Sequence, residues 1–542
     1  FRSSDADMDT RVTTEQSPDE DMIRFYLEGT ELFRLTDGRL EVYNTNEMVA
    51  MGDSALGKNT AARNTAVGHN AGARNTAGYS NTFIGSRSGY NNTSGFENVF
   101  LGEAAGIQNT SGYRNTFTGS GAGFHNSASL NTFYGALSGY FNTTGSLNVA
   151  IGLGALLNNK VASGSVAVGA FALNNNNNSG AGLKDGINNT AVGTSAGREN
   201  TSGYWNTFIG TESGRFNESG YGNAFLGTVA GFANKYGDRN TFTGVGAGYA
   251  NLGSTGDSLA GSDNCFFGYE SGRANSTGKL NTHLGTRAGF SSTGNTNTSV
   301  GAYAGYSTTF YFDNTFVGAS AGFLSNHNFC TAIGAGADIL PGLPHSTAIG
   351  AGATCLKSQQ VVLGHAYIDE VYTAGDMLAD SYSTHSDGRF KEKVSETVPG
   401  IEFIKALRPV QYYWNYKKHF QWENAKLGIN RTIDNEKLNS KSRVHKSGFI
   451  AQEVEEAAIS LGYDFSGVQI PATKGDIYSL EYSEFVVPLV KAVQEQQDMI
   501  EALEAELAEK DAELEALRKA NQSTQSRLDI IEAQLNLQTA GK

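Results

Sequence analysis

"NTFIGSRSGYNNTSGFENVFLG", residues 81–102, contains one unit of a repeat and the beginning of the next. The five-residue core NTFIG at 81–85 returns as NVFLG at 98–102, and the residues between them are small, polar or glycine. The same core recurs through residues 48–365, and we assign one anchor residue, usually Asn, to the start of each copy. The nineteen anchors are residues 48, 64, 81, 98, 115, 131, 148, 165, 189, 206, 223, 240, 264, 281, 297, 314, 330, 346 and 360.

The spacing of the anchors predicts a β-solenoid. Most intervals are 16 or 17 residues, two are 24 and the last is 14. A short fixed period is typical of units that bury their apolar side only by stacking on each other. Each core predicts a short strand, and the A-G or S-G about four residues later predicts a second strand with its bend. With coils stacked at the strand spacing of ~4.8 Å, the segment forms a rod of roughly 90 Å.

Two further properties of the rod follow from the repeat. Asparagines at equivalent corners are predicted to form ladders along the stack. A coil of 14–17 residues encloses little, so a single rod leaves apolar edges in water. Association of three copies around an axis would bury those edges in a closed assembly. The sequence therefore predicts a mainly β protein built on a trimeric parallel β-solenoid.

The regions before the repeat and after it have different patterns. Residues 1–21 are polar and acidic, which predicts a loosely docked segment, whereas 22–43 alternate with period 2 and predict a small β meander. Residues 386–497 predict a compact α/β unit, in which we interpret the charged stretch 417–446 as a loop. Residues 366–385 are then a linker.

A heptad pattern runs from residue 486 to about 540 and predicts a coiled coil. Seven of its eight a positions are apolar, and the eighth is Asn521. The a positions are Val486, Val493, Ile500, Leu507, Leu514, Asn521, Leu528 and Leu535. The d positions are Leu489, Gln496, Leu503, Lys510, Leu517, Thr524 and Ile531. This pattern does not fix the number of helices in the coil.

Composition narrows the function classes. The net charge of −14 argues against nucleic acid or an anionic membrane as the main partner. The three cysteines have no metal-ligand spacing, and we predict neither a metal nor a cofactor. No apolar run is long enough for a transmembrane helix.

The repeats resemble the head repeats of trimeric autotransporter adhesins, most closely at 346–364, where the period falls to 14. Elsewhere the units are about three residues longer, as in "NTSGYRNTF" at 109–117, and are similar to those of secreted "tail fiber domain-containing" proteins. The resemblance implies an extracellular location, on a cell surface or on a virion or tail.

Four ordered motifs after the repeat resemble the endosialidase-type intramolecular chaperone, the S74 peptidase family. They are SDGRFKEKV (386–394), LRPVQYYW (407–414), SGFIAQEVEE (447–456) and SLEYSEFVVPLVKAVQEQ (479–496). In that family the domain trimerises, helps a β-rich fibre to fold and then cleaves itself off before the motif serine.

The resemblance implies a catalytic Ser386–Lys391 pair and a scissile bond between His385 and Ser386. A serine hydroxyl needs a nearby base, and lysine serves when burial lowers its pKa. On residues alone, the better interpretation of Lys391 is a solvated surface charge, and the four ordered motifs are what favour the catalytic role. His385 lies on the leaving side of the proposed cut, and we predict no catalytic role for it. Four other residues match motif positions and are predicted to support the fold or the trimer: Asp387, Arg389, Gln452 and Glu453.

The leading hypothesis is a structural or adhesive trimeric fibre with a self-cleaving chaperone. The predicted domains are 1–47, the N-terminal meander; 48–365, the rod; 366–385, the linker; 386–485, the chaperone; and 486–540, the coiled coil. One alternative is an ice-binding rod with a flat threonine ladder. Against it, Thr is followed by Phe or Ala, and its position also holds Ser, Val and Cys. A glycan-acting enzyme is the other alternative, but no carboxylate pair stands out in the repeats.

Overall fold

The chain forms two compact units, Phe1–Met377 and Leu378–Lys542, each of which is described separately. The computed structural model describes residues 2–4, 10–14, 22–37, 39–42, 46–177, 185–365, 368, 371, 386–427, 436, 439–440, 442–471, 473 and 475–539. The predicted linker 366–385 therefore lies outside the described residues except at 368 and 371.

The first unit begins with a sheet of five antiparallel strands in sequential order. They are β1 (Arg2–Ser4), β2 (Arg11–Thr14), β3 (Ile23–Leu27), β4 (Thr30–Thr36) and β5 (Arg39–Val42). The last three are the predicted meander. The prediction that 1–21 is loosely docked was wrong for β1 and β2, since β2 pairs with β3 and places Val12 opposite Phe25.

The repeat segment forms a ladder of nineteen parallel three-residue strands within the described ranges 46–177 and 185–365, which confirms the solenoid. Each strand begins one residue after an anchor, and equivalent residues pair in register, as Phe83 does with Phe100. The strands are β6 (Val49–Met51), β7 (Thr65–Val67), β8 (Thr82–Ile84), β9 (Val99–Leu101), β10 (Thr116–Thr118), β11 (Thr132–Tyr134), β12 (Val149–Ile151), β13 (Val166–Val168), β14 (Thr190–Val192), β15 (Thr207–Ile209), β16 (Ala224–Leu226), β17 (Thr241–Thr243), β18 (Cys265–Phe267), β19 (Thr282–Leu284), β20 (Thr298–Val300), β21 (Thr315–Val317), β22 (Thr331–Ile333), β24 (Thr347–Ile349) and β26 (Val361–Leu363).

The predicted second strand of each coil forms only near the C-terminal end of the described repeats, as β23 (Asp338–Ile339) paired with β25 (Thr354–Cys355). The other coils make turns there, because two residues per coil adopt a left-handed backbone that ends any strand. Gly121 and Gly123, with φ of 64° and 59°, illustrate the pair of positions.

A glycine after each strand is required by the close stacking of the turns. Gly68 has φ of 132°, and a Cβ there would lie 2.7 Å from a backbone atom of Gly85 in the next coil. Any side chain at this position therefore collides with the neighbouring turn as well as straining the backbone. This steric limit explains why the fifth residue of the core is glycine.

Two buried asparagine ladders confirm the predicted stacking of corner residues. In the first, formed by the anchors, the backbone N–H of Asn81 donates to Oδ1 of Asn64 at 2.9 Å. In the second, eleven residues after the anchors, Nδ2 of Asn92 donates to Oδ1 of Asn75 at 2.6 Å. Side chains that satisfy each other from coil to coil stabilise a polar interior that would otherwise be costly to bury.

The core of the solenoid is one column formed by the middle residue of each strand. Most of these residues are Phe or Ala and are fully buried, and consecutive rings stack, as Phe117 and Phe133 do with centroids 4.8 Å apart. The size of the residue six positions after each core residue determines how large the core side chain can be. A Cβ at Gly123 would lie 2.5 Å from the ring of Phe117, so phenylalanine in the core column needs glycine at that position.

Where the core residue is alanine, a leucine takes the place of that glycine in three coils. These pairs are Ala150 with Leu156 and Ala167 with Leu173, both fully buried, and Leu56 with Ala50 at the first strand, where Ala50 is exposed. The leucines adopt a left-handed backbone, with φ of 47–51°, in order to fill the space that a ring fills elsewhere. In the coils of Ala66 and Ala191 the glycine remains, and the ring of the next coil reaches towards it instead.

The second unit is a small α/β arrangement followed by one long helix. Its elements are α1 (Ile401–Ala406), β27 (Val410–Tyr413), α2 (Tyr416–Leu427), β28 (His445–Gly448), α3 (Ala451–Ser460), β29 (Val468–Gln469), β30 (Ser479–Leu480) and α4 (Val486–Thr539). The interpretation of 417–446 as a loop was wrong for α2. The buried core residues are Phe403, Val454, Ala457, Ala458, Phe465 and Phe485.

Helix α4 is 54 residues long and shows apolar residues to solvent along its heptads. The exposed fractions are 63% for Leu503, 62% for Leu507 and 63% for Leu517. Among the described residues, no helix combines the length and the apolar character that crossing a bilayer requires.

Candidate catalytic site

A short 3₁₀ turn, Gly388–Phe390, shapes the segment that carries the predicted Ser-Lys pair. Asp387 caps the turn, because its carboxylate accepts the backbone N–H of Arg389 at 2.9 Å. The turn reverses the chain and brings the ends of the motif together. As a result, Nζ of Lys391 donates a hydrogen bond to Oγ of Ser386 at 2.9 Å.

The charges next to this pair are matched within the turn. Nε of Arg389 donates to both carboxylate oxygens of Asp387, at 3.1 and 3.0 Å. The guanidinium lowers the pKa of Asp387, chiefly through the side-chain hydrogen bond, and the carboxylate raises the pKa of Arg389. Because the carboxylate already binds this guanidinium, it holds the turn rather than competing for Lys391.

The pair and its neighbours are exposed in the single chain. Ser386 and Lys391 are both open to solvent, and two apolar side chains beside them are bare, with exposed fractions of 82% for Phe390 and 81% for Val394. If another chain covered Phe390 and Val394, their apolar surface would be removed from water, which is favourable.

Gln452 and Glu453 lie at the start of α3 and not in the turn. Nε of Arg408 donates to Glu453 at 2.9 Å, which lowers the pKa of Glu453 and raises that of Arg408. Gln452 lines an open cavity of about 1020 Å³ together with Tyr412 and Trp414. Glu453 thus links α3 to the segment before β27 through an exposed ion pair, and the supporting role of both residues stays a prediction.

Residues 386–463 match the Peptidase_S74 family model. The family is described as the chaperone of endosialidase. The chain therefore contains a C-terminal S74 intramolecular chaperone domain, placed after a long β-solenoid. The S74 match includes the first three predicted motifs and ends before the fourth, 479–496. Comparison with curated proteins found no match to the chain.

The role of Arg408 was not predicted, and the predicted scissile bond includes a residue that the structure does not describe. Arg408, the partner of Glu453, stands inside the motif at 407–414 but was not singled out, although the charge of a lone arginine between apolar residues was a usable signal. His385, on the other side of the proposed scissile bond, lies outside the described residues. Within the described ranges, no three His, Cys, Asp or Glu side chains are grouped closely enough to hold a metal ion.

Proposed function

We propose that the chain is one subunit of a homotrimeric structural or adhesive fibre, extracellular and carried on a cell surface, virion or tail. Its S74 domain directs the folding of the solenoid and then cuts the chain before Ser386. The observation that carries the catalytic part is the 2.9 Å hydrogen bond between Lys391 and Ser386. The proposed division of labour follows the segments 1–47, 48–365, 366–385, 386–485 and 486–540.

The exposed heptads of α4 support assembly of several copies. Apolar a and d side chains in water are unfavourable, and a coiled coil buries them. The polar positions within the seam, such as Asn521, select a register at some loss of stability. Three copies agree with the trimers of S74 proteins and with cyclic closure around the rod.

The fold gives the chaperone a task. Every solenoid strand pairs with a strand 14 to 24 residues away, and a slip by one coil would still match core to core. Parallel strand pairing is slow and exposes unpaired edges to misassembly. A coiled coil that first joins three chains raises their effective concentration and aligns their rods. Cleavage afterwards would separate the folded rod from the part that assembled it and leave a rod that is kinetically hard to unfold.

The cleavage chemistry can be written with the chain's own groups and water. An uncharged lysine accepts the hydroxyl proton of Ser386, and Oγ attacks the carbonyl carbon of residue 385. The peptide nitrogen takes the proton and leaves as the amino group of Ser386, which forms an ester at Oγ. Water then hydrolyses the ester, releasing a carboxylate at residue 385 and restoring the serine. A neighbouring chain that covers Phe390 and Val394 would exclude water around the lysine and favour its uncharged form.

We expect freshly assembled wild-type chain to split between residues 385 and 386, and the variants Ser386→Ala and Lys391→Met to stay whole. The intact mass of each protein is the measurement. Matched controls are Ser395→Ala and Lys393→Met, which change an exposed serine and lysine of the same segment and should split normally. If the wild type also remains whole after it has trimerised, the domain is a permanent assembly unit and the proposed catalysis is wrong.

Ice binding is a second candidate, which the orientation of the strands favours more than the sequence did. The Phe and Ala that follow threonine point into the core, so they do not interrupt the outer face. Threonine and aliphatic side chains form two regular outward columns there, as Thr207 and Ile209 do on β15. Thermal hysteresis of the purified protein would identify this activity, and its absence would leave the fibre as the better proposal.

A further inference from the structure

The outer face of the solenoid ladder carries no charge. Each three-residue strand directs its first and third side chains outward, and we name these two columns together the strand face. Across all nineteen strands, neither outward position holds Asp, Glu, Lys, Arg or His, although 17% of the chain is Asp, Glu, Lys or Arg. Ordinary solvent-exposed surfaces mix charges throughout, so a face this long without any indicates contact with something other than water.

The third-residue column of the strand face is mostly aliphatic and visibly exposed. The exposed fractions are 42% for Leu101, 37% for Ile209, 49% for Leu226 and 44% for Leu284. These side chains lie in one line because the strands pair in register. The result is a predominantly apolar strip along the ladder, interrupted by threonine at positions 118 and 243.

Charged residues of the same coils are placed elsewhere and pair with each other. Glu97 and Arg114 lie in adjacent coils, as do Glu270 and Arg287, with shortest N–O distances of 2.6 and 2.8 Å. Each of these pairs joins neighbouring coils at the turns. The charges of these turns are therefore matched within the chain, whereas covering the strand face would bury threonine hydroxyls and apolar side chains but no charge.

The dimensions of the strand face identify its occupant. Eighteen steps of ~4.8 Å give a strip of roughly 90 Å by 10 Å, or about 900 Å² per chain, which reaches the area of a stable interface. A matching partner must be equally long, uncharged and flat, with the same repeat. Another copy of this ladder meets all of these conditions.

We propose that the strand face is the surface through which the solenoids of neighbouring copies pack against each other. Three such faces turned towards a common axis form an apolar interior between the rods. This inference rests on the proposed homotrimer and adds the surface that the rods use. It places the threonine column beside the aliphatic column at the contact and leaves the ion-paired turns on the outside.

A native cysteine on the strand face, Cys265, allows this contact to be tested chemically. Cys265 is the first residue of β18, is exposed in the single chain and is unpaired, whereas Cys330 and Cys355 are buried in the core. Copies packed through their strand faces bring their Cys265 thiols to the same level of the interface. A thiol in that position is shielded from reagents but close to its equivalent.

The test is cross-linking and labelling of the full assembled chain. Mild oxidation or a short bis-maleimide is expected to join two chains through Cys265, and Cys265→Ser should abolish the product. The matched control adds Thr277→Cys, at an exposed turn of the same coil, to the Cys265→Ser background and should not cross-link. We expect Cys265 to react with a single maleimide at least about tenfold more slowly than this control, because the interface must open locally first.

The outcomes separate this inference from the function on which it rests. A trimer by light scattering whose Cys265 reacts as fast as the control and gives no cross-link overturns the strand-face contact and leaves the homotrimer standing. A monomer by light scattering overturns both. Cross-linking of both cysteines would show contact without selectivity and would also contradict the proposal.

Discussion

Exchanging Ala150 for Phe together with Leu156 for Gly should leave the solenoid close to wild-type stability, while either change alone should destabilise it by several kcal/mol. Leu156→Gly removes a buried leucine beside alanine and leaves a cavity, which costs about 2–5 kcal/mol per chain. Ala150→Phe places a ring in the space that Leu156 fills, and overpacking costs about 1–3 kcal/mol or more. Together they recreate the Phe117 and Gly123 arrangement found in the same column.

Denaturant-induced unfolding of the four proteins gives the coupling energy between the two positions. We expect it to exceed about 2 kcal/mol per chain, at the upper end for residues in direct contact. The control combines Ala150→Phe with Leu56→Gly, which lies in a distant coil, and its effects should simply add. If the combination with Leu156→Gly and the combination with Leu56→Gly give the same coupling energy, then a core residue and the residue six positions after it do not stabilise each other.

Replacing His283 by Phe should make the protein markedly more resistant to acid. His283 stands in the core column between Phe266 and Ser299, stacks on Phe266 with centroids 4.9 Å apart, and is fully buried. Neither ring nitrogen has a hydrogen-bond partner among the described residues. Desolvation lowers the pKa of His283 from 6.5 to about 3.

The direction of the pH effect follows from that lowered pKa. Above pH 6.5 the residue is neutral in both the folded and the unfolded chain, so it adds no pH dependence. Below 6.5 the unfolded chain binds a proton that the folded chain refuses, and stability falls until about pH 3. At about pH 4.5 the loss is on the order of 3 kcal/mol per chain, since each unit of pKa difference is worth about 1.4 kcal/mol.

Unfolding midpoints measured between neutral pH and pH 4.5 test this prediction. The acid sensitivity of His283→Phe should be smaller than that of the wild type, because phenylalanine does not titrate and continues the ring stack. His345→Phe is the control, since His345 is exposed and stacks on Phe329 at the surface. Equal acid slopes for the wild type and His283→Phe would show that the histidine is hydrated in the folded protein.

The repeat could be located from the sequence because a few residues carry the signal in every coil. The anchor asparagines, such as Asn81 and Asn98, bond to each other and to backbone, so the position tolerates few alternatives. The prediction of a second strand at A-G is wrong for most coils because left-handed residues around this dipeptide make turns. The link between Phe117 and Gly123, or between Ala150 and Leu156, is visible in the sequence once the coils are aligned.

The candidate site was predictable in part. The spacing of Ser386 and Lys391 was recognised through motif resemblance, but their proximity depends on the 3₁₀ turn that Asp387 caps. Helix α2 was missed because its charged residues lack an apolar stripe, and such a helix is not distinguished from a loop by periodicity. The strand face could not be predicted from the sequence. Strands such as TFI and TAV do not show which of their three side chains points inward until the chain is folded.

Because the strands pair in register, the length of the solenoid is set by the number of its coils. In the described ranges, each inner strand pairs with the strand before it and the strand after it, and neighbours match through the same columns. Losing or duplicating one unit, for example residues 207–223, would join equivalent residues and change the rod by a single strand spacing of ~4.8 Å. Duplication of one repeat in the gene can therefore lengthen the solenoid by a fixed increment. The added coil would use the same contacts between coils that are already present.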